Sequence, residues 1–516
     1  MTGLLHEKEF SRKSFVKGGG ALIVGFSLAG SGLAGAASAA SPSAAGYLPN
    51  VNQVDSWLTI NPDNTATLKT SQIETGNGIS TGFLMVLAEE LSMGMGQMHY
   101  GGFNKASVDV VDTYVAVSSG SEGGSNAMSG TGPKVRAAGA LAAQALLNLA
   151  STNLGVPVAN LSVSGGVVSG GGKSVSYGQL VGGQLLNVAL SPSSLQQGVA
   201  PAKPVASYTL VGTSAPRIDI PEKVTGVYTY VQNVRVPGML HGRLIRPRGQ
   251  GAYTYNSDIA ASVDASSIAH IPGAKVVQVG NFVGVVAPEE YDAIQAAAEL
   301  KVVWNTNSIL PGTGNLWDHY RTEDAAGNVP AAINTNVGNF ASAIQGAAHT
   351  VSTTFKYHYQ GHTPIGPACA VADVTPTGAT IWSNTQNVEG LVTDVTAALG
   401  PNYPPQSVRV LFYEGSSSYG NGGVAFDAGE GAAVMSQAVG KPVRLQFMRW
   451  DEHGWTHFGP AIMTDMTAGI DANGNMVAYQ VTQFTQPGTS LYTTRELVGS
   501  ATSASENLTI LLIHIS

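Results

Sequence analysis

The chain has 516 residues, of which 43% are hydrophobic and only 11% are charged, and its formal net charge is -8. This length predicts more than one domain. Because no basic cluster follows the N-terminal segment, nucleic acid is not expected as a partner. The single cysteine, Cys369, excludes an intrachain disulfide, and it excludes an iron–sulfur cluster held by this chain alone, since such a cluster needs several thiolates.

The first 40 residues have the pattern of a cleavable export signal. The apolar run Gly18–Ala40 ends in small residues and is short of the roughly 20 strongly apolar residues of a spanning helix, which favours export over a retained anchor. The septet Ser11–Lys17 resembles a twin-arginine signal, with Lys13 in the place of the second arginine. That pathway exports folded proteins; an ordinary export signal is the alternative. We therefore predict a twin-arginine-like signal over residues 1–40 and a periplasmic mature chain.

Strands and two glycine loops that lead into helices are predicted in residues 50–205. Two short strands flank the turn Asn61–Asn64. After the loop Glu74–Gly78, apolar residues recur at helical spacing from Leu84 to Leu91. A second loop around Ser125 leads into an alanine-rich helix that begins near Pro133.

The rest of the chain is predicted to contain further strands and helices. Residues 216–305 read as a compact α+β domain of three strand regions and the helix Glu289–Leu300. A looser polar segment, Thr306–Gly338, precedes more strands and helices, among them a hairpin that turns at Asn473–Gly474. The apolar run that ends at Ser516 predicts an exposed strand edge and a chain that breaks off within a domain.

The densest glycine and serine loop, Tyr413–Gly423, lies between a predicted strand and a predicted helix. Backbone N–H groups and hydroxyls at such a place suit an anionic phosphate, and a solvent-exposed turn is the alternative. A long phosphorylated ligand would need contacts from several such loops. The candidate cofactor-binding residues are Gly76, Asn77, Gly78, Ser125, Gly415, Ser416, Ser417, Ser418, Tyr419, Gly420 and Asn421.

Three other motif-like patterns are assigned structural roles. The pairs His358/His362 and His453/His457 have zinc-like spacing but lie among glycines and aromatic residues, so hydrogen-bonded histidines are favoured and no protein metal ligand is predicted. "GGGKS" lacks the first glycine of a phosphate loop, since Val167 stands there, and is interpreted as a turn.

Several segments together resemble one known family. "IETGNGISTGFLMVLAEEL", "GGSNAMSGTGPKVRAA", "PEKVTGVYTYVQNVRVPGMLHGRLIRP", "QGHTPIGPACAVADV" and "SNTQN" are similar to successive pieces of the molybdopterin-binding large subunit of the xanthine dehydrogenase/aldehyde oxidase family, isoquinoline 1-oxidoreductase beta type. The resemblance implies an α+β fold with an a/b hammerhead domain at 216–305. That domain is inserted between a permuted molybdopterin-binding segment at 50–205 and a truncated molybdopterin-binding domain at 340–516.

The same resemblance implies an oxidoreductase. Its cofactor would be molybdopterin cytosine dinucleotide with molybdenum. It would oxidise a small molecule, an N-heterocyclic aromatic compound or an aldehyde, with water-derived oxygen. Electrons would pass to a small subunit with two [2Fe–2S] clusters and on to a cytochrome acceptor. The alternative is an exported, non-catalytic scaffold or binding protein that keeps the fold.

The sequence also departs from the family pattern. Asn77 stands where the family has glutamine, and Tyr419–Asn421 replaces Phe-Gly-Gly. Gly366 stands where many aldehyde oxidases have the glutamate of Met-Glu-Pro, so this chain lacks that pocket carboxylate. The family's catalytic glutamate lies in a Gly-x-Gly-Glu segment that this chain lacks, so the catalytic residue is unknown and the chain is expected to be incomplete at its C-terminus.

Overall fold

The computed structural model describes residues 49–101, 127–190, 202–246, 260–305, 312, 314–325, 331–361, 364–415, 427–451, 458–485, 498 and 509–515. The helices are α1 (Val54–Trp57), α2 (Ile79–Leu91), α3 (Gly132–Leu154), α4 (Tyr177–Val181), α5 (Ile220–Thr225), α6 (Glu290–Glu299), α7 (Leu316–Ala325), α8 (Phe340–Gln345), α9 (Val388–Leu399) and α10 (Asp427–Val439).

The strands are β1 (Leu58–Ile60), β2 (Ala66–Leu68), β3 (Met98–Tyr100), β4 (Ser162–Ser164), β5 (Val167–Gly170), β6 (Lys173–Ser176), β7 (Leu240–Leu244), β8 (Ala260–Asp264), β9 (Lys275–Val279), β10 (Phe282–Ala287), β11 (Lys301–Trp304), β12 (Ala331–Val337), β13 (His349–Tyr357), β14 (Gln360–Gly361), β15 (Cys369–Thr375), β16 (Gly378–Ser383), β17 (Val408–Phe412), β18 (Val443–Gln446), β19 (Phe458–Gly459), β20 (Ile462–Ile470), β21 (Met476–Thr485) and β22 (Thr509–Ile515).

The N-terminal part packs the helix pair α2 and α3 against the sheet β1-β2-β3. The predicted two-strand turn is confirmed, because β1 and β2 pair antiparallel across it. The predicted helices are also confirmed, and Leu84, Leu87 and Leu91 of α2 are fully buried. Burial of each leucine contributes about 1.5–3 kcal/mol. The "GGGKS" segment joins β5 to β6 with Gly171 and Gly172 at positive φ, so it is a turn, as predicted.

A seven-stranded sheet, β17-β16-β15-β18-β7-β10-β9, combines strands from two separate stretches of the chain. β7, β9 and β10 come from the predicted hammerhead region, and β7 pairs parallel with β18 from the later stretch. Helix α10 covers one face, where the Met435 side chain occupies the space that a Cβ at Gly242 or Gly284 would need. The region 216–305 therefore shares its main sheet with the region that follows, and the hammerhead boundaries stay a prediction.

Two expectations about the later chain were wrong. Thr306–Gly338 is not only a loose segment, because it contains α7 and β12. The C-terminal strand β22 is not an exposed edge, since it lies between β12 and β21 in the five-stranded sheet β12-β22-β21-β20-β13. The predicted hairpin at Asn473–Gly474 is confirmed by the pairing of β20 with β21. In the part of the chain described, no helix has the length and apolar character needed to cross a membrane.

Candidate functional site

Glu74 organises the first glycine loop. Its carboxylate is fully buried; Oε1 accepts the N–H of Gly78 at 2.8 Å, and Oε2 accepts the N–H and Oγ of Ser80 at 3.1 and 2.8 Å. Helix α2 begins immediately after Gly78, so an internal carboxylate satisfies donors of the helix N-terminus and interacts favourably with its dipole. Gly78 itself has φ of 82°, a left-handed conformation that glycine adopts without strain.

The tip of this loop, Gly76 and Asn77, is exposed to solvent. Gly76 has φ of 89°, again in the left-handed region. Across the described residues, the backbone N–H groups of Gly76 and Asn77 have no protein acceptor. Two consecutive exposed N–H donors are a common element of anion-binding concavities.

A buried charge network links this loop to the second glycine loop. Its centre is Asp219, whose side chain is fully buried. Oδ1 of Asp219 accepts from Nε of Arg217 at 2.9 Å, and Oδ2 accepts from Nη2 of Arg217 and from Nζ of Lys223, the latter at 2.7 Å. Nη1 of Arg217 donates to the carbonyl oxygen of Gly76 at 2.8 Å.

Glu414 receives the other end of the network. Its Oε2 lies 2.6 Å from Nζ of Lys223 and accepts from the hydroxyl of Tyr228 at 3.0 Å. A Cβ built on Gly76 would lie 3.7 Å from Oε1 of Glu414, so the two loops are neighbours although they are far apart in the sequence. Gly415 follows Glu414 and is buried; its lack of a side chain is explained by Asn384, whose Nδ2 would lie 2.2 Å from a Cβ there.

The network shifts the pKa values of its members. Burial alone would raise the pKa of Asp219, but hydrogen bonds from Arg217 and Lys223 outweigh it and lower this pKa to about 2. Burial would lower the pKa of Lys223, but its bonds to Asp219 and Glu414 raise it. Burial raises the pKa of Glu414, and the neighbouring Glu74 acts in the same direction. Both cations are thus held by carboxylates, and the backbone N–H groups of Gly76 and Asn77 are donors without an acceptor among the described residues.

The structure describes only some of the residues predicted to bind a cofactor. Gly76, Asn77 and Gly78 lie in one loop, and Gly415 lies in the loop beside it. The remaining candidates lie outside the described residues: Ser125, Ser416, Ser417, Ser418, Tyr419, Gly420 and Asn421.

The sequence-based prediction missed the residues that join the loops, namely Arg217, Asp219, Lys223 and Tyr228. A signal was present, because this chain is poor in charge and yet places Arg217, Asp219, Glu222 and Lys223 within a few positions of one another. Such local charge density in an otherwise uncharged sequence indicates a buried or functional network.

The other patterns noted in the sequence lie apart from this network. Burial raises the pKa of the Cys369 thiol to about 11, so this side chain is a buried thiol at neutral pH. The ring of His358 contacts Trp317 at 5.1 Å between centroids, while His362, His453 and His457 lie outside the described residues. Over the described ranges, no cluster of three or more histidine, cysteine or acidic residues could hold a metal.

Comparison with known proteins gives two domain matches and several relatives. Two different family models, each described as a molybdopterin cofactor-binding domain, match residues 7–230 and 322–508. One relative, a nicotinate dehydrogenase subunit of Pseudomonas putida, is 35% identical over 448 residues, which cover 85% of this chain and 36% of that protein. The isoquinoline 1-oxidoreductase beta chain of Brevundimonas diminuta is 28% identical over 294 residues, which cover 52% of this chain and 36% of the relative.

A crystal structure of quinoline 2-oxidoreductase from Pseudomonas putida 86 is also similar, with a TM-score of 0.41 and 18% identity over 52% of this chain and 38% of that one. The chain spans between 36% and 54% of the length of the curated relatives that it matches. The two domain matches, together with these relatives, show that the chain belongs to the molybdopterin-binding large subunits of the xanthine dehydrogenase/aldehyde oxidase family.

Proposed function

We propose that this chain is part of the large subunit of a molybdenum hydroxylase. The whole enzyme oxidises N-heterocyclic aromatic compounds or aldehydes with water-derived oxygen, and it passes the electrons to a separate iron–sulfur subunit. The proposal draws on relatives named as dehydrogenases and oxidoreductases of nicotinate, isoquinoline and aldehydes.

One observation carries the proposal: two glycine loops from the two matched domains meet at one charged network. The match at 7–230 contributes Gly76, Asp219 and Lys223, and the match at 322–508 contributes Glu414. A long cofactor that is bound by both domains would have to cross such a junction.

The residues at this junction fit a phosphate-bearing cofactor. The exposed N–H groups of Gly76 and Asn77 have no acceptor within the described chain, and the positive φ of Gly76 turns the backbone without a side chain that would block a ligand. These N–H groups would hold the phosphates, while Glu74 and Arg217 fix the loop from behind. When bound, molybdopterin cytosine dinucleotide supplies the redox centre.

The proposal includes a partner and an export route. This 516-residue chain has one cysteine and cannot hold an iron–sulfur cluster by itself, so the proposed electron acceptor is a separate small subunit with two [2Fe–2S] clusters, and a cytochrome is the proposed final acceptor. Export as a folded complex by the twin-arginine-like segment around Arg12 and Lys13 would deliver the enzyme to the periplasm with its cofactor in place.

The test is to purify the whole protein with its small subunit and to measure molybdenum per chain and turnover of N-heterocycles and aldehydes with an artificial acceptor. One molybdenum per chain and metal-dependent turnover are expected. A folded protein without molybdenum would contradict the proposal and favour the alternative, a non-catalytic scaffold or binding protein that keeps the fold.

A matched pair of variants locates the site. Gly76→Val is expected to lower molybdenum occupancy. Gly155→Val is the control, since Gly155 has a similar φ of 71° and nothing within 4 Å of a Cβ there, so it adds comparable backbone strain away from the loop. Equal molybdenum occupancy in both variants would exclude the Gly76 loop as a cofactor contact.

A further inference from the structure

We propose that Asp219 is a positioning residue that fixes the Gly76 loop and Glu414 relative to each other and thereby sets the affinity of the site for its cofactor, which rests on the proposed function. Among the described residues, the Asp219 side chain makes no hydrogen bond to either loop. It acts through Arg217 on one side and through Lys223 on the other.

On one side, Asp219 orients Arg217 so that its guanidinium group donates a hydrogen bond to Gly76 at the tip of the first loop. Nε and Nη2 of Arg217 both bind the Asp219 carboxylate, and this paired contact fixes the plane of the guanidinium group. In that orientation Nη1 donates to the carbonyl oxygen of Gly76. The Arg217 side chain also packs on Gly78, because its Cδ lies 3.3 Å from the position that a Cβ on Gly78 would take. Without Asp219 the guanidinium group would lose the contact that orients it.

The arm through Lys223 reaches the second loop. Lys223 lies one helical turn after Asp219, at i+4, and its Nζ bridges Oδ2 of Asp219 and Oε2 of Glu414. The backbone of Glu414 is also held, because its carbonyl oxygen accepts the N–H of Val231 at 3.0 Å. Lys223 therefore positions a loop that is already tethered at its backbone.

Burial holds the carboxylate of Asp219, the hub of this charge network, in one position. The Asp219 side chain is fully buried and uses both oxygens for three charged donor atoms. Removing the partner of a buried charge destabilises a protein far more than removing the partner of an exposed charge, because water cannot replace the buried partner. Displacement of either arm is therefore resisted by the other, which couples the two loops.

The test compares Asp219→Asn with Asp55→Asn by hydrogen exchange and by molybdenum content of the whole protein. Asp55 is a matched control: it is also buried, it accepts the N–H groups of Leu186 and Asn187 at 2.8 Å each, and among the described residues none of its hydrogen bonds involves either glycine loop. Asp219→Asn is expected to speed exchange at least tenfold in peptides covering residues 74–80 and 408–415 and to lower molybdenum occupancy. Asp55→Asn is expected to speed exchange only around residues 186–187.

Single-arm variants keep the proposal testable if Asp219→Asn does not fold. Arg217→Gln should loosen residues 74–80 more than residues 408–415, and Lys223→Gln should do the reverse, whereas Lys223→Arg should restore the second loop. Unchanged exchange in both peptides, or equal effects of Asp219→Asn and Asp55→Asn, would overturn the role of Asp219. Absence of molybdenum from the wild-type protein would overturn the proposed function instead, and exchange would still decide whether Asp219 couples the loops.

Discussion

Replacement of Glu74 by glutamine should release the start of α2 and the glycine loop that precedes it. The carboxylate accepts three hydrogen bonds, from Gly78 and twice from Ser80. The glutamine amide can keep its oxygen toward Ser80, but its NH₂ then faces the N–H of Gly78, so at least one charge-assisted bond is lost. Such a bond contributes about 1.5–3 kcal/mol, and the lost interaction with the helix dipole adds about 0.3–1 kcal/mol.

The expected local destabilisation is therefore about 2–4 kcal/mol, which corresponds to roughly 30- to 700-fold faster opening at a tenfold change per 1.4 kcal/mol. Hydrogen exchange of the amides from Gly78 to Ser80 measures this opening directly. Glu89→Gln is the control, because Glu89 is equally buried on the same helix but accepts from Thr209, Leu210 and Val211. Exchange at Ser80 that is the same in Glu74→Gln and in the wild type would refute the assignment of Glu74 as the anchor of the loop.

Three further predictions use other parts of the chain. The pKa of Asp219 is lowered to about 2, below its ordinary value of 3.8, so its pairing stabilises the fold by about 2 kcal/mol above about pH 4, and this stabilisation is lost as the pH falls toward 2. The free energy of unfolding, measured by urea denaturation between about pH 5 and 3, should therefore depend less on pH in Asp219→Asn than in the wild type. An equal pH dependence in the two proteins would contradict the pairing. Gly420→Val is expected to lower molybdopterin occupancy more than thermal stability, and equal losses would indicate a structural turn. Replacement of Arg12 and Lys13 by glutamine should leave the precursor in the cytoplasm, whereas normal periplasmic accumulation would exclude twin-arginine export.

Local elements were predictable because their signals are local. The spacing of Leu84, Leu87 and Leu91 is enough to predict α2, since a helical stripe needs only a core to face. The turn at Asn473–Gly474 follows from a dipeptide that tolerates positive φ. Both were predicted without knowledge of the tertiary structure.

Long-range pairing could not be predicted in the same way. β7 binds β18 across a large separation in sequence, and no periodic pattern specifies which strands become neighbours. β22 was expected to be an exposed edge because an apolar strand gives no indication of its partners, and it lies between two strands.

The candidate site shows the same difference between local features and long-range contacts. Its glycine loops were recognisable from composition. The charge density around Asp219 indicates a network, but it does not predict that Asp219 joins two loops, because that role depends on long-range contacts made through Arg217 and Lys223. Gly415 was recognised for a ligand, and the structure gives it a packing reason at Asn384 as well.

The central claim is that the cofactor lies against the junction of the Gly76 and Glu414 loops. The most direct measurement is hydrogen exchange of the whole protein with and without bound molybdopterin cofactor, followed at the amides of Gly76 and Asn77. Protection of these two amides by the cofactor, with unchanged exchange at the remote turn Gly155, is the expected result. Equal exchange at Gly76 and Asn77 in the loaded and cofactor-free proteins would contradict the claim.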